Sequence, residues 1–169
     1  KVLNNYKVYV KYNLITSNGS IITNSVNIAL GTNYTMSPNC QLFAQGKLGD
    51  ATNAIGDNVA LNYNVMINAD CGGKIFIGNN VRIGPYTVLR AANHRFNDIE
   101  TPICKQGHEA GRIIIKDDVW LGAHDTVLPN VTIGESTVIG AGSVITVGIP
   151  SFSIAAGVPA KVTRSRRNE

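Results

Sequence analysis

An aliphatic residue recurs at every sixth position through the C-terminal part of this 169-residue chain. The unbroken run starts at Ile115 and reads IKDDVW, LGAHDT, VLPNVT, IGESTV, IGAGSV and ITVGIP. A period of six matches neither an α-helix nor a simple strand. It matches one flat side of a coil, in which a short strand is followed by a corner. Three hexads close a triangular coil with its aliphatic residues inside, and such coils stack about 4.8 Å apart through parallel ladders.

The same register recurs nearer the N terminus, with interruptions between the sets of hexads. Sixteen hexads in all correspond to just over five coils. Charged residues make up only 15% of the chain, and its many glycines and β-branched residues suit short strands joined by tight turns. The sequence therefore predicts an all-β fold, a left-handed parallel β-helix in the form of a triangular prism. The earlier hexads begin at Leu30, Met36, Leu42, Leu48, Ile55, Leu61, Ile67, Ile77, Ile83 and Leu89.

Breaks in the repeat predict how the chain is organised. The break before Ile115 predicts an inserted loop over residues 95–114, and long insertions in repeat arrays emerge on one face and often carry function. A solenoid also needs caps, because its end coils expose unpaired strands. We therefore predict a cap or irregular segment over residues 1–29, the β-helix with its inserted loop over residues 30–149, and a C-terminal cap with a basic tail over residues 150–169.

The net charge of +4 is concentrated near the C-terminal end. Residues 161–169 contain four cations and one anion. Such a tail is either simply solvated or a contact for phosphates or an anionic polymer. We expect no nucleic-acid partner, because the basic residues are not interleaved with aromatic ones and no recognition helix is visible.

No apolar stretch is long enough to span a bilayer, and no secretory signal is recognisable. We therefore expect a cytoplasmic protein without membrane insertion. The three cysteines, Cys40, Cys71 and Cys104, include no close metal-binding pair. We interpret them as buried or idle thiols in a reducing compartment.

His94 is the leading candidate for acid–base chemistry. It ends the hexad LRAANH, where the coil breaks into the inserted loop, so its side chain can project into a cleft bounded by that loop. Imidazole titrates near neutral pH and is suited to proton transfer there. Asp98, Glu100 or a backbone carbonyl are the candidates for fixing its tautomer. The alternative interpretation is a polar residue at the start of a loop.

A zinc site is disfavoured, although the chain has three histidines. His94, His108 and His124 are 14 and 16 residues apart and form no compact ligand motif. A metal ion would have to be held between subunits. We therefore expect no metal cofactor.

Trp120, the only tryptophan, takes the last place of the hexad IKDDVW, which we expect to be an outward corner. An indole there suits a flat wall for a cofactor or a sugar, and the alternative is packing at a subunit interface. Asn68 and Asp70 precede an interruption of the repeat. They are either turn formers, the commoner use of Asn and Asp, or ligands for sugar hydroxyls beside the His94 loop.

From about Ile75 to Arg164, over half of the chain, the sequence resembles the hexapeptide-repeat acyltransferases, and among them the maltose, galactoside and polysaccharide O-acetyltransferases. The hexads alone are specific only to the fold. The ordered set of a histidine, a loop, a tryptophan-containing hexad and a terminal GVPAK is more specific. The segments that carry the resemblance are IGNNVRIGPYTVL, NHRFND, VWLGAHDTVLPNVTIGESTVIGAGSVIT and AAGVPAKVTR.

The resemblance implies a homotrimer of parallel prisms with three active sites in the clefts between neighbours. It implies that acetyl-CoA lies along a coil groove, that His94 matches the catalytic histidine and that Trp120 matches the indole beside the thioester. Val147 departs from the pattern, because sugar acetyltransferases often carry a lysine there to contact a CoA phosphate. Implied cofactor contacts are Trp120, Ala123, Ala141, Thr146, Lys161 and Arg164, and implied acceptor contacts are Asn64, Asn68 and Asp70.

We therefore expect an acetyl-CoA-dependent O-acetyltransferase that acts on a sugar hydroxyl. The acceptor would be a polysaccharide, capsule or O-antigen unit, a sialic acid or a small saccharide. His94 would remove the hydroxyl proton as the oxygen attacks the thioester, with direct transfer and no acyl-enzyme. Three alternatives stay open: an amino-sugar N-acetyltransferase, a γ-type carbonic anhydrase with interfacial zinc, and a non-catalytic trimeric scaffold.

Overall fold

The computed structural model describes residues 15–16, 19–23, 27–44 and 53–168. They form a left-handed parallel β-helix of about five turns, as predicted. Each coil contributes one short strand to each of three faces, A, B and C in that order, and we name the corners AB, BC and CA after the faces they join.

Face A is an eight-stranded sheet, face B a six-stranded sheet and face C a five-stranded sheet among the described residues. Face A contains β1 (Ile15–Thr16), β4 (Thr35–Met36), β7 (Ala60–Leu61), β10 (Arg82–Ile83), β15 (Trp120–Leu121), β18 (Val138–Ile139), β20 (Ser153–Gly157) and β21 (Ala160–Ser165). Face B contains β2 (Ile21–Thr23), β5 (Gln41–Ala44), β8 (Met66–Ala69), β11 (Val88–Arg90), β16 (Thr126–Val127) and β19 (Val144–Ile145). Face C contains β3 (Ile28–Leu30), β6 (Asn53–Ile55), β9 (Lys74–Ile77), β14 (Arg112–Ile115) and β17 (Thr132–Ile133). Outside the prism lie β12 (Ala92–His94), β13 (His108–Ala110) and 3-10 helices at Ile103–Lys105 and Arg166–Asn168.

The first residue of each hexad points into the prism, which confirms the predicted inward register. Every described one is buried, from Leu30, which is 6% exposed, to Ile145, which is fully buried, while Leu48 lies outside the described residues. The fifth residues, such as Val65 and Val131, fill the corners from inside. Burying a side chain of this size contributes roughly 1.5–3 kcal/mol each, so the column of aliphatic residues is the main source of stability.

The corners need a left-handed backbone, and the sequence supplies asparagine there. At corner CA, Asn33, Asn58 and Asn80 have φ values of 54°, 56° and 59°. Asparagine tolerates this region better than most residues. The three side chains also form a ladder, in which Nδ2 of Asn33 donates to Oδ1 of Asn58 at 3.0 Å and Nδ2 of Asn58 donates to Oδ1 of Asn80 at 3.2 Å.

Close stacking explains the glycine in the second place of many hexads. A Cβ built on Gly84 would lie 2.5 Å from the backbone of Gly122 in the next coil. Neighbouring coils are therefore in backbone contact at corner AB, and a side chain there would force them apart.

The boundaries of the elements differ from those predicted. The parallel ladders begin before residue 30, because β1 pairs with β4, β2 with β5 and β3 with β6. The predicted loop over 95–114 ends early, since Arg112–Ile115 is already a strand of face C, paired with β9 and β17. Near the C terminus, β20 continues face A and β21 folds back antiparallel to it, so this hairpin covers the last coil. None of the helices in the described part of the chain is long and apolar enough to cross a membrane.

Candidate functional site

The insertion at corner BC forms a hairpin that we call the arm, residues 92–110. Strands β12 and β13 pair antiparallel, with Ala92 opposite Ala110 and His94 opposite His108. The two imidazole rings lie 4.1 Å apart between centroids and are tilted by 39°. His94 is exposed, so a hydrogen-bonded hairpin presents its ring to solvent outside the prism.

The tip of the arm is held by the side chain of Gln106. Its Nε2 donates to the backbone oxygens of Asp98 and Thr101, both at 2.7 Å, and its Oε1 accepts from the backbone N–H of Asp98 at 3.2 Å. The carboxylate of Asp98 accepts from the backbone N–H of Glu100 at 3.0 Å. Hydrogen bonds from the Thr101 hydroxyl and from Glu100 hold the pKa of Asp98 below its usual value.

Asp98, Glu100 and a backbone carbonyl were the candidate partners of the His94 ring. No hydrogen bond within the described ranges joins either carboxylate to that ring. The neighbour that the structure gives His94 is instead His108. The sequence did not reveal this pairing, because it depends on which two strands of the insertion face each other.

Polar side chains line the base of the arm on face B. The guanidinium of Arg90 donates to Oδ1 of Asn68 on the adjacent strand, and its other nitrogen lies 4.0 Å from Sγ of Cys71. The backbone N–H of Asp70 donates to the same Asn68 oxygen at 3.0 Å. The predicted residues Asn68 and Asp70 are thus adjacent, next to the strand that leads into His94.

Arg90 is a residue that the sequence analysis missed. It is half-buried, and its hydrogen bond to Asn68 links two coils directly below the arm. One sequence feature could have identified Arg90: in the hexad LRAANH, arginine replaces the glycine that is common at the second position.

Trp120 lies on a flat face and not at a corner, which corrects the prediction. The corner ends at the buried residue Val119, and Trp120 opens strand β15 with its indole outward and 57% exposed. It pairs in register with Arg82 on one side and Val138 on the other. A shallow groove of about 150 Å³ lies beside the indole on face A, with Thr35 in its lining.

Ala123 and Ala141 lie at corner AB in successive coils, where the backbone N–H of Gly142 donates to the oxygen of Ala123 at 2.8 Å. Asn64 lies at this same corner, with φ of 57°, and is therefore apart from Asn68 and Asp70, with which it was grouped. Within one chain these three residues are not together, and their joint role in a cleft between chains stays a prediction.

The remaining predicted cofactor contacts lie toward the C-terminal end of the prism. Lys161 and Arg164 are exposed on β21 of face A. Thr146 is exposed and follows β19, so it lies at corner BC. Val147, at the position where the resemblance implies a lysine, is 61% exposed. The tail continues to Arg166, which forms an ion pair with Asp118 at 3.1 Å.

These positions divide the candidate residues of one chain into two groups. His94, Asn68 and Asp70 belong to the arm and face B, whereas Trp120, Lys161 and Arg164 belong to face A. His94 lies on the arm outside corner BC, whereas Trp120 lies on face A of the prism itself.

Asp125 is a further residue that the sequence analysis missed. It is fully buried inside corner AB, where its Oδ1 accepts from the backbone N–H of Ser143 at 2.9 Å. Its Oδ2 has no hydrogen-bond partner among the described residues. Burial raises the pKa of Asp125 to about 6, against the opposing effect of backbone hydrogen bonds from Ser143 and Gly122. The sequence feature that could have identified Asp125 is an aspartate at the fifth position of LGAHDT, where the side chain fills the corner from inside.

Metal ligands are not clustered in the part of the chain that the structure describes. No group of three or more His, Cys, Asp or Glu residues there is arranged to hold a metal ion. His124 is at corner AB, where its ring stacks on Tyr86 with centroids 4.8 Å apart, and it is not beside His94 and His108.

Residues 112–146 match the family described as bacterial transferase hexapeptide (six repeats). A protein of Staphylococcus aureus strain Mu50, provisionally assigned as an acetyltransferase, is 47% identical over 119 residues, which are 68% of this chain and 58% of that protein. The galactoside O-acetyltransferase of Escherichia coli K12 is 40% identical over 111 residues, 65% of this chain and 52% of that protein. The chain thus spans little more than half the length of these relatives.

Among solved structures, the fold is similar to that of an N-acyltransferase from Bacillus cereus in complex with dTDP and 3-hydroxybutyryl-CoA. The TM-score is 0.75 and the identity 22%, over 96% of this chain and 88% of that one. The repeat and the three-faced prism define the class of left-handed β-helices built from hexapeptide repeats. Within that class, residues 112–146 carry the repeats of the bacterial transferase hexapeptide family, which confirms the predicted resemblance of these repeats.

Proposed function

We propose that this protein is an acetyl-CoA-dependent O-acetyltransferase that acts on a sugar hydroxyl. The observation that carries the proposal is the exposed ring of His94 on the arm, next to the polar residues Asn68 and Arg90. Support comes from the galactoside O-acetyltransferase among its relatives and from the structural neighbour that binds an acyl-CoA.

His94 is the general base in the proposed reaction. Its neutral ring accepts the proton of the acceptor hydroxyl as that oxygen forms a bond to the carbonyl carbon of the acetyl thioester. The imidazolium then returns the proton to sulfur as the C–S bond breaks, so the products are an acetyl ester and the free thiol of coenzyme A. Catalysis by a positioned base of this kind contributes roughly 10²- to 10⁴-fold.

Residues of face A and of two corners would hold acetyl-CoA. The exposed indole of Trp120 offers a flat apolar wall for the acetylated end. Lys161 and Arg164, both exposed on β21, offer cations to the phosphates. The remaining contacts in the proposal, which involve corners AB and BC, are Ala123, Ala141 and Thr146.

The proposed active site is shared between neighbouring chains of a homotrimer. His94 leaves the prism at corner BC, whereas Trp120 faces outward from face A. A base and a thioester must come within about 3.5 Å of the same hydroxyl group to react. A cyclic trimer meets this requirement, because a heterologous interface sets one edge of a chain against a different edge of the next.

Mixed trimers test the proposal. Cells that coexpress His94→Ala and Trp120→Ala chains in equal amounts produce trimers in which some sites combine an intact His94 with an intact Trp120 from the next chain. With acetyl-CoA kept below its KM, random assembly predicts about a quarter of the wild-type rate, since each shared site needs one chain of each kind in the right order. If the mixture is no more active than the better of the two parent variants, the shared site is wrong.

A further inference from the structure

A polar cavity of about 500 Å³ opens on face C at the base of the arm, and we call it the foot cavity. It is distinct from the groove beside Trp120, which lies on face A. The residues around the foot cavity include Gly72, Lys74, Ala110, Arg112, Asn130 and Thr132.

Two cations stand side by side in the foot cavity. Lys74 and Arg112 are register partners on the adjacent parallel strands β9 and β14, and both are exposed. Like charges in directly opposed positions of a sheet destabilise it. Neither side chain forms an ion pair with a carboxylate among the described residues. Among the residues that the structure describes, no ion pair therefore offsets these two adjacent positive charges.

Neighbouring groups hold the arginine in this place. Its guanidinium carbon lies 5.7 Å from the centre of the Phe76 ring, within the range of a cation–π contact. Its backbone N–H donates to Oδ1 of Asn130 at 3.2 Å. A guanidinium that is positioned on an aromatic face is suited to bidentate binding of a carboxylate or a phosphate.

The foot cavity is close to the proposed general base. Ala110 lines the cavity and pairs with Ala92, which is two residues before His94 on the same strand. Two residues of extended chain span about 7 Å. An anionic group in the foot cavity and a hydroxyl at His94 can therefore belong to one saccharide.

We propose that the foot cavity binds a carboxylate or phosphate group of the acceptor, so that the acceptor class is an anionic saccharide. This inference rests on the proposed O-acetyltransferase function, which it makes more specific. Lys74 and Arg112 are the specificity-determining residues, and His94 acts on a hydroxyl of the same molecule or of the adjoining sugar unit.

Binding without acetyl-CoA tests the inference separately from activity. The probes are two matched pairs: trigalacturonic acid with its neutral methyl ester, and glucose 1-phosphate with glucose. Calorimetry at low salt measures their binding to the wild-type protein, to Lys74→Gln and to Arg112→Gln. Lys116→Gln is the control, because Lys116 is an exposed cation on the opposite edge of face C. We expect at least one anion to bind roughly tenfold more tightly than its neutral partner, and each foot-cavity variant to lose most of that preference.

Comparison of the two anions shows whether the foot cavity binds a carboxylate or a phosphate group of the acceptor. The inference is overturned if neither anion binds better than its neutral partner, or if the foot-cavity variants keep the full preference. It is also overturned if these variants raise the KM for acetyl-CoA while the acceptor KM is unchanged, since the cations would then serve the cofactor. A protein that binds anionic saccharides but releases no thiol from acetyl-CoA would instead refute the O-acetyltransferase function and leave the anion site intact.

Discussion

The rings of His94 and His108 face each other across the arm, 4.1 Å apart between centroids. We expect His108 to act as a positioning residue, because its ring restricts the orientations open to the ring of His94. His108→Ala should lower kcat roughly tenfold through misplacement of the base, with the KM for acetyl-CoA unchanged. His108→Phe keeps a flat ring at this position and should recover most of the rate. Equal kcat values for His108→Ala and the wild type would show that the contact is irrelevant to catalysis.

Trp120→Ala should weaken the use of acetyl-CoA. The indole is 57% exposed on face A, so its loss removes an apolar wall without opening the core. We expect the KM for acetyl-CoA to rise roughly tenfold or more while kcat changes little. Ile21→Ala is the matched control, because Ile21 is a large exposed apolar residue on β2 of face B. Light scattering reports the assembly, and dissociation of Trp120→Ala into monomers would support subunit packing as the role of the indole.

Asn68→Ala should loosen the base of the arm. The substitution removes the oxygen that accepts hydrogen bonds from Arg90 and from the backbone N–H of Asp70. A lost hydrogen bond to a charged group costs about 1.5–3 kcal/mol, so the free energy of unfolding should fall by a similar amount. Urea denaturation measures the change. Asn80→Ala is the control, because it removes an asparagine at corner CA, far from the arm. We expect Asn68→Ala to raise the KM for the acceptor and Asn80→Ala to leave it unchanged.

Asp125 should make stability depend on pH between about 4 and 6. Its folded-state pKa of about 6 lies above the ordinary value of 3.8, so in this range the folded chain retains a proton that the unfolded chain has lost. The contribution of Asp125 to stability is therefore fully present below the ordinary pKa and is lost as the pH rises from about 4 to about 6, by an amount on the order of 3 kcal/mol.

Asp125→Asn isolates this contribution, since the amide keeps an oxygen for the Ser143 N–H and cannot ionise. Urea denaturation at pH 4 and pH 7 should show a smaller loss of stability between the two conditions in the variant than in the wild type. An equal loss in both proteins would mean that Asp125 does not titrate in this range.

The repeat made the fold predictable from sequence, whereas the site was predictable only in part. A buried aliphatic is required once per hexad, so residues such as Ile115 and Ile133 reveal the coil directly. The prediction that Trp120 lies at a corner was wrong, because the strand begins one residue before the aliphatic residue that starts the hexad. Trp120 is therefore the first residue of strand β15. The contact between Arg90 and Asn68 joins residues 22 apart in sequence, and it depends on how two coils stack.

The most direct test of the proposed function compares wild type and His94→Ala in a thiol-release assay with acetyl-CoA and a panel of neutral, anionic and amino sugars. We predict that the wild type releases coenzyme A with at least one hydroxyl acceptor. His94→Ala should be slower by roughly 10²- to 10⁴-fold with acetyl-CoA binding preserved, because it lacks only the base. Full activity in His94→Ala, or a wild type that neither binds acetyl-CoA by calorimetry nor releases thiol with any saccharide, would contradict the account.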